Sequence, residues 1–265
     1  MEIQVEDLHK AFGSNQVLRG IDLLVRRGEM VAIVGASGGG KTVLLKHLIG
    51  RLRPDRGCVR VADHESKDSP LVDLATLSES EMDRLRRHWA VVFQKNALFT
   101  GTVEDNISLG LMDVKGMQPA EVTGRVRQAI ASVGLDPDQV PQLAREDLSG
   151  GMAKRVAVAR ALALDPVLIF YDEPTTGLDP ERAQQIQDLV GDVHRRRPDM
   201  GIERTTVIIT HDAGLLFRLK PRVIMLHEGR VGFDGTADAF ESSESPAIQP
   251  YLSLMPSLHG RIRSG

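Results

Sequence analysis

Gly35-Ala36-Ser37-Gly38-Gly39-Gly40-Lys41-Thr42 is the most informative stretch of this chain. It fits G-x-x-x-x-G-K-[ST], the phosphate-loop (Walker A) pattern, at every fixed position. The apolar run Met30-Val31-Ala32-Ile33-Val34 precedes it, and Val43-Leu44-Leu45-Lys46-His47-Leu48-Ile49, which reads as a helix, follows. Glycines let the backbone turn tightly with its N–H groups facing an anion. The helix start adds free N–H groups and the positive end of its dipole. Lys41 can then reach terminal phosphates as a point charge, and Thr42 can offer its hydroxyl to magnesium. A glycine-rich turn with a chance Lys-Thr is the bland alternative, and the agreement of pattern and flanks argues against it.

Glu2–Leu8 and Val17–Val25 read as strands joined by a turn around Gly13-Ser14-Asn15. Phe12, just before that turn, is either a stacking surface for a nucleotide base or an ordinary core or surface ring. Residues 62–73 are polar and read as a loop; Leu77–His88 reads as a helix with Ser78 and Glu81 as a capping box. Ala90-Val91-Val92-Phe93 is a short buried strand followed by Gln94, which points into a ligand crevice or caps a loop. From 95 to 147 strand signals stop, and Val122, Val126, Ala129, Ile130 and Val133 fall at helical spacing. We expect a helical subdomain inserted into an α/β core.

Ser149-Gly150-Gly151 opens a second glycine-rich helix start, suited to an anion or simply a capped helix. Val167-Leu168-Ile169-Phe170-Tyr171 reads as a strand buried on both faces and ends in Asp172-Glu173. Two carboxylates there are costly unless paired with a cation or a reacting group. In a phosphate-loop enzyme the first serves the magnesium shell and the second polarises water. Asp179-Pro180 opens the next helix, and Arg195-Arg196-Arg197 closes it as a solvated cationic end. Thr206–Thr210 is another buried strand, leading to His211, a phosphate donor or a structural histidine. Arg222–Leu226 and Gly229–Phe233 form a hairpin. Tyr251, Leu252, Leu254, Met255 and Leu258 suggest a short terminal helix with a frayed end.

The chain has 265 residues, 42% hydrophobic and 26% charged, with material for an ample core. Its net charge of −3, from 33 basic and 36 acidic residues, gives no bulk field for nucleic acid, and we expect no such partner. The single cysteine, Cys58, excludes an internal disulfide and a cysteine zinc cluster. No signal core and no run of about 18 uncharged apolar residues is present, so any membrane role is expected through a partner.

Leu148-Ser149-Gly150-Gly151 before a helix, some twenty residues ahead of a strand ending in Asp172-Glu173, resembles the signature of the ABC-type ATPases. With it, Gln94 looks like the Q-loop glutamine, Gly177-Leu178-Asp179 like the D-loop, His211 like the switch histidine and Phe12 like the A-loop aromatic. The resemblance covers roughly residues 2–240. It implies an ABC ATPase domain over 1–240, with the helical subdomain at about 95–160, and a tail at 241–265. The implied fold is a phosphate-loop α/β core with an N-terminal antiparallel β subdomain.

By the same resemblance the subunit forms a head-to-tail homodimer holding two ATP molecules. Phe12, Gly35, Ala36, Ser37, Gly38, Gly39, Gly40, Lys41 and Thr42 would bind the nucleotide, and Ser149, Gly150 and Gly151 the γ-phosphate of the opposite subunit. The region of Thr100 is included without a role. Glu173 would act as general base, with Lys41, His211 and Gln94 in the catalytic set and Thr42, Gln94 and Asp172 serving Mg2+. Hydrolysis would drive an integral-membrane permease, placing the chain peripherally on the cytoplasmic face of the inner membrane.

Three runs look like the ATPases of Mla-type, MCE-associated lipid transporters: Phe93-Gln94-Lys95-Asn96-Ala97-Leu98-Phe99, Leu148–Ala157 with Met152 at the fifth signature position, and Tyr171–Pro180. They imply phospholipid transport with an MCE-domain substrate-binding partner. The alternative is the ATPase of an amino-acid or other small-solute importer, which shares every catalytic motif. A soluble ABC protein of translation or DNA repair would bring a second ATPase core or a long coiled coil. A non-catalytic adaptor would not need both Glu173 and His211.

Overall fold

The computed structural model describes residues 1–95 and 98–253, with Tyr251 as backbone only. Asn96 and Ala97 of the resemblance run, and Leu254, Met255 and Leu258 of the expected terminal helix, lie outside the described residues. The chain divides into two compact units, Met1–Leu85 with Thr205–Gly265, and Arg86–Arg204.

In the first unit β1 (Ile3–Phe12) pairs antiparallel with β2 (Asn15–Val25) and with β4 (Arg56–Ala62). The expected loop at 62–73 instead yields a short strand, β5 (Leu71–Asp73), antiparallel to β4. Its partner is the open edge of β4, a contact that a three-residue segment does not advertise in its own pattern. Val5, Leu8, Ile21 and Val59 are among the side chains this antiparallel sheet buries.

The second sheet of this unit orders β10 (Arg230–Thr236), β9 (Arg222–His227), β3 (Met30–Gly35) and β8 (Thr205–Ile209). Val31, Ala32, Ile33 and Val34 are at most 1% exposed, as expected of a parallel strand covered on both faces. The β9–β10 turn is tight, with Glu228 and Gly229 both at positive φ. Among the described residues its helices include α1 (Lys41–Leu48), α7 (Ala213–Leu219), α8 (Ala237–Glu241) and α9 (Gln249–Ser253). The helix α2 (Glu79–Arg86) ends at the unit boundary, and the predicted Ser78–Glu81 box is present.

The second unit holds the parallel pair β6 (Trp89–Val92) and β7 (Leu168–Asp172). Its helices are α3 (Val103–Asp113), α4 (Pro119–Ser132), α5 (Gly150–Ala163) and α6 (Pro180–Arg195). Leu168, Ile169, Phe170 and Tyr171 are fully buried. Trp89 meets Phe170 edge-on at 6.3 Å. Arg204, 4% exposed, anchors this unit. Its guanidinium donates to the carbonyls of Pro166 (2.9 Å), Val193 (2.8 Å) and Arg196 (3.0 Å) and to Asp165 (3.2 Å). A buried cation is tolerable when its donors are spent in this way. The α/β core, antiparallel subdomain and helical region match the architecture expected from sequence.

Candidate nucleotide site

In the first unit the phosphate loop leaves β3 at Gly35. The Gly35 φ is 144°, and a Cβ there would lie 2.4 Å from the Leu226 carbonyl oxygen on β9. Only glycine permits that approach. The loop then turns through Gly38 and Gly40 at φ 78° and 92°, and Gly39 N–H donates to the Ala36 carbonyl at 3.0 Å. Ala36, Ser37 and Gly38 are exposed, and the first turn of α1 has no acidic residue. Lys41 Nζ donates to the carbonyls of Gly35 (2.7 Å) and Ala36 (3.0 Å), which holds its ammonium over the loop. This open backbone, helix N-terminus and cation fit a polyphosphate.

His211 belongs to the same end of the sheet. Thr210 N–H donates to the Ile33 carbonyl at 3.2 Å, so the chain leaves β8 beside the strand that feeds the loop. His211 is exposed, and Asp212 caps α7 by accepting from Leu215 N–H at 3.3 Å. Phe12 closes the β1–β2 hairpin opposite Asn15 and is 49% exposed, with Lys10 Nζ 5.7 Å from its ring centroid. The structure therefore removes the core reading of Phe12.

In the second unit Gln94 lies just beyond β6, and Asp172 and Glu173 are the last residue of its parallel neighbour β7 and the one after it, since Val92 pairs with Tyr171. Glu173 adopts φ 51°, and Thr176 ties back to it through N–H to carbonyl and hydroxyl to carboxylate bonds, both 3.3 Å. Lys154 of α5 donates to the Gln94 carbonyl at 2.8 Å and is 2% exposed. Burial pushes its pKa down, against the opposing pull of the Asp172 and Glu173 carboxylates. Burial likewise raises that of the Tyr171 hydroxyl.

Ser149 caps α5, accepting from Met152 N–H at 3.3 Å. Ser149 and Gly150 are exposed, and nothing lies within 4 Å of a Cβ at Gly150. That helix start is open to an anion. Thr100 is exposed. Neighbouring Phe99 lies under the Arg160 guanidinium at 5.4 Å, and its backbone is clamped by buried Asn106.

Taken singly, Thr42 of the first unit and Asp172 of the second each offer a hard oxygen donor of the kind magnesium takes. Among the described residues no group of three or more His, Cys, Asp or Glu side chains is placed to hold a metal alone. A magnesium ion that relies on substrate phosphates needs no such cage. Sequence reasoning missed Lys154. The available signal was its place on the face of α5 shared by Gly151, Val158 and Ala161, which are buried.

Residues 18–176 match the family described as ABC transporter. This chain is an ABC cassette. The histidine transport ATP-binding protein HisP of Pseudomonas aeruginosa is 36% identical over 95% of the chain and 97% of that protein. The L-cystine transport system ATP-binding protein TcyN of Escherichia coli is 38% identical over 94% and 96%. The chloroplastic protein Trigalactosyldiacylglycerol 3 of Arabidopsis thaliana is 33% identical over 98% of the chain and 75% of that protein. Among solved structures, a dimeric post-hydrolysis ATP-binding cassette, MJ0796 with ADP and Pi, superposes with TM-score 0.74 at 28% identity, covering 89% of this chain and 98% of that one. CbiO1 of Clostridium perfringens, part of the transporter complex cbiONQ, gives 0.76 at 29%, covering 97% and 96%. The cassette binds and hydrolyses ATP as the ATP-binding subunit of an ABC transporter. Among the described residues no helix is long and apolar enough to cross a membrane.

Proposed function

We propose that this cassette energises import of an amino acid or a similar small polar solute, working as a homodimer on a membrane permease. The observation that carries the solute class is the pair of amino-acid relatives, HisP and TcyN, each aligned over nearly its whole length. The dimer rests on the cassette captured with ADP and Pi. The permease rests on the family and on the complex that contains CbiO1.

Within each ATP site, residues 35–42 hold the phosphates and Phe12 stacks on the base. Thr42, Gln94 and Asp172 would hold Mg2+, which would supply charge neutralisation on the phosphates. Glu173 takes the proton from the attacking water, and His211 and Gln94 contact the γ-phosphate side. Ser149, Gly150 and Gly151 of the other protomer add their helix N-terminus.

A second reading, envelope lipid transport with an MCE-domain partner, keeps support from Met152 in the signature and from the relative named for a galactosyl lipid. Affinity purification from native membranes in mild detergent, followed by mass spectrometry, separates the two. A permease with a solute receptor is the expected result. A permease with an MCE-domain protein and bound lipid would overturn the solute reading.

A further inference from the structure

We propose that Lys154 is a positioning residue of the hydrolytic site, holding the Gln94 backbone in place beside the neighbouring strand end that carries Asp172 and Glu173. The inference rests on the proposed reading of those three residues as part of that site.

Lysine is almost never fully buried unless paired, and Lys154 is 2% exposed in the middle of a helix otherwise packed through Val156, Ala157, Val158 and Ala159. An alanine or leucine would fill that place at less desolvation cost. What the lysine adds is reach. Its Nζ donates at 2.8 Å to the Gln94 carbonyl, 60 residues away in sequence, at the end of β6. The carboxylates that act on it are Asp172 and Glu173, at the end of β7. The ammonium thus meets the chain just beyond β6, and the parallel neighbour of that strand carries both acids at its end.

Lys154 also lies five residues beyond Ser149, on the helix whose first turn is the open anion site. A shift of α5 driven at its N-terminus would carry this cation with it, so the helix links its open anion site to the Gln94 backbone mechanically. Methionine at 154 would match the volume yet leave the Gln94 carbonyl without this donor and the acid pair without this cation.

The test uses the full chain, with Lys154→Met, Lys154→Arg and Glu173→Gln compared for kcat, KM for MgATP and melting temperature. Equilibrium MgATP affinity is read in the Glu173→Gln background. We expect Lys154→Met to lower kcat by about 10-fold or more, the scale for removing a residue that orients others in a site. KM, melting temperature and MgATP affinity should stay near those of the parent, and Lys154→Arg should recover most of the rate. Wild-type turnover by Lys154→Met, an arginine variant no better than methionine, or a rate loss matched by lost ATP affinity would each overturn the proposal. If Lys154→Met does not fold, Lys154→Arg against Lys154→Gln carries the same test, equality overturning it. Near-wild-type hydrolysis by Glu173→Gln would instead remove the site reading itself.

Discussion

Glu173 sits in the left-handed region, at φ 51°. A non-glycine residue held there costs about 1 kcal/mol or more, and such strain survives where surrounding bonds enforce it. Here the two Thr176 bonds do so, and they set the carboxylate at the mouth of β7. Replacing Glu173 with Gln keeps shape and backbone and removes the base. Turnover should fall by about 100-fold or more while MgATP still binds. Steady-state hydrolysis together with a nucleotide titration checks this, and persistent turnover would count against the assigned base. Gly35 poses the opposite problem, since the position admits no side chain. Gly35→Ala should cost about 3 kcal/mol, because Cβ meets a backbone oxygen at an unfavourable φ. A urea melt reads this, and an unchanged midpoint would show that β9 can yield.

At the scale of elements, local capping chemistry explains where helices begin. Thr102 caps α3 by accepting from Asp105 N–H at 3.1 Å, while Asp105 accepts from Thr102 N–H at 2.8 Å. The Thr102 backbone N–H, and after it the Thr102 hydroxyl, donate to the Asp105 carboxyl and hold it below its usual range. A lowered folded pKa means that the charged form is favoured by folding. Its stabilisation is fully present above the ordinary carboxylate pKa and is lost as pH falls through the lowered value. Asp105→Asn should therefore destabilise the chain at about pH 7 and cost much less at about pH 3. Thermal melts at the two values test it; an equal penalty at both would exclude the linkage. Ser78, Thr102, Ser149 and Asp179 show how far side chains within a few residues settle a helix start. The short strand β5 shows the reverse, since Leu71–Asp73 becomes a strand only because β4 offers an edge.

For the molecule as a whole, the exposed first turn of α5 is the feature that a dimeric cassette would use. The Glu173→Gln chain should sediment as a dimer with ATP. Adding Ser149→Arg, which places bulk and charge at that open helix start, should return it to monomer while its own phosphate loop still binds ATP. A dimer that persists would remove α5 from the interface. The amino-acid sequence by itself determined the phosphate loop, the glycine-rich start of α5, the acid pair on a buried strand and the α/β class. Each is written in residues close in sequence, where glycine freedom, capping and burial periodicity act. Tertiary structure alone decided that β5 pairs with β4, that the Phe12 ring is exposed, and that Glu173 is held in a left-handed conformation. It alone also decided that a buried cation, Lys154, donates to the Gln94 carbonyl. The physical reason is that a buried charge selects its partners by packing. The chain brings Lys154 to a carbonyl 60 residues away only after helix and strands have closed on one another.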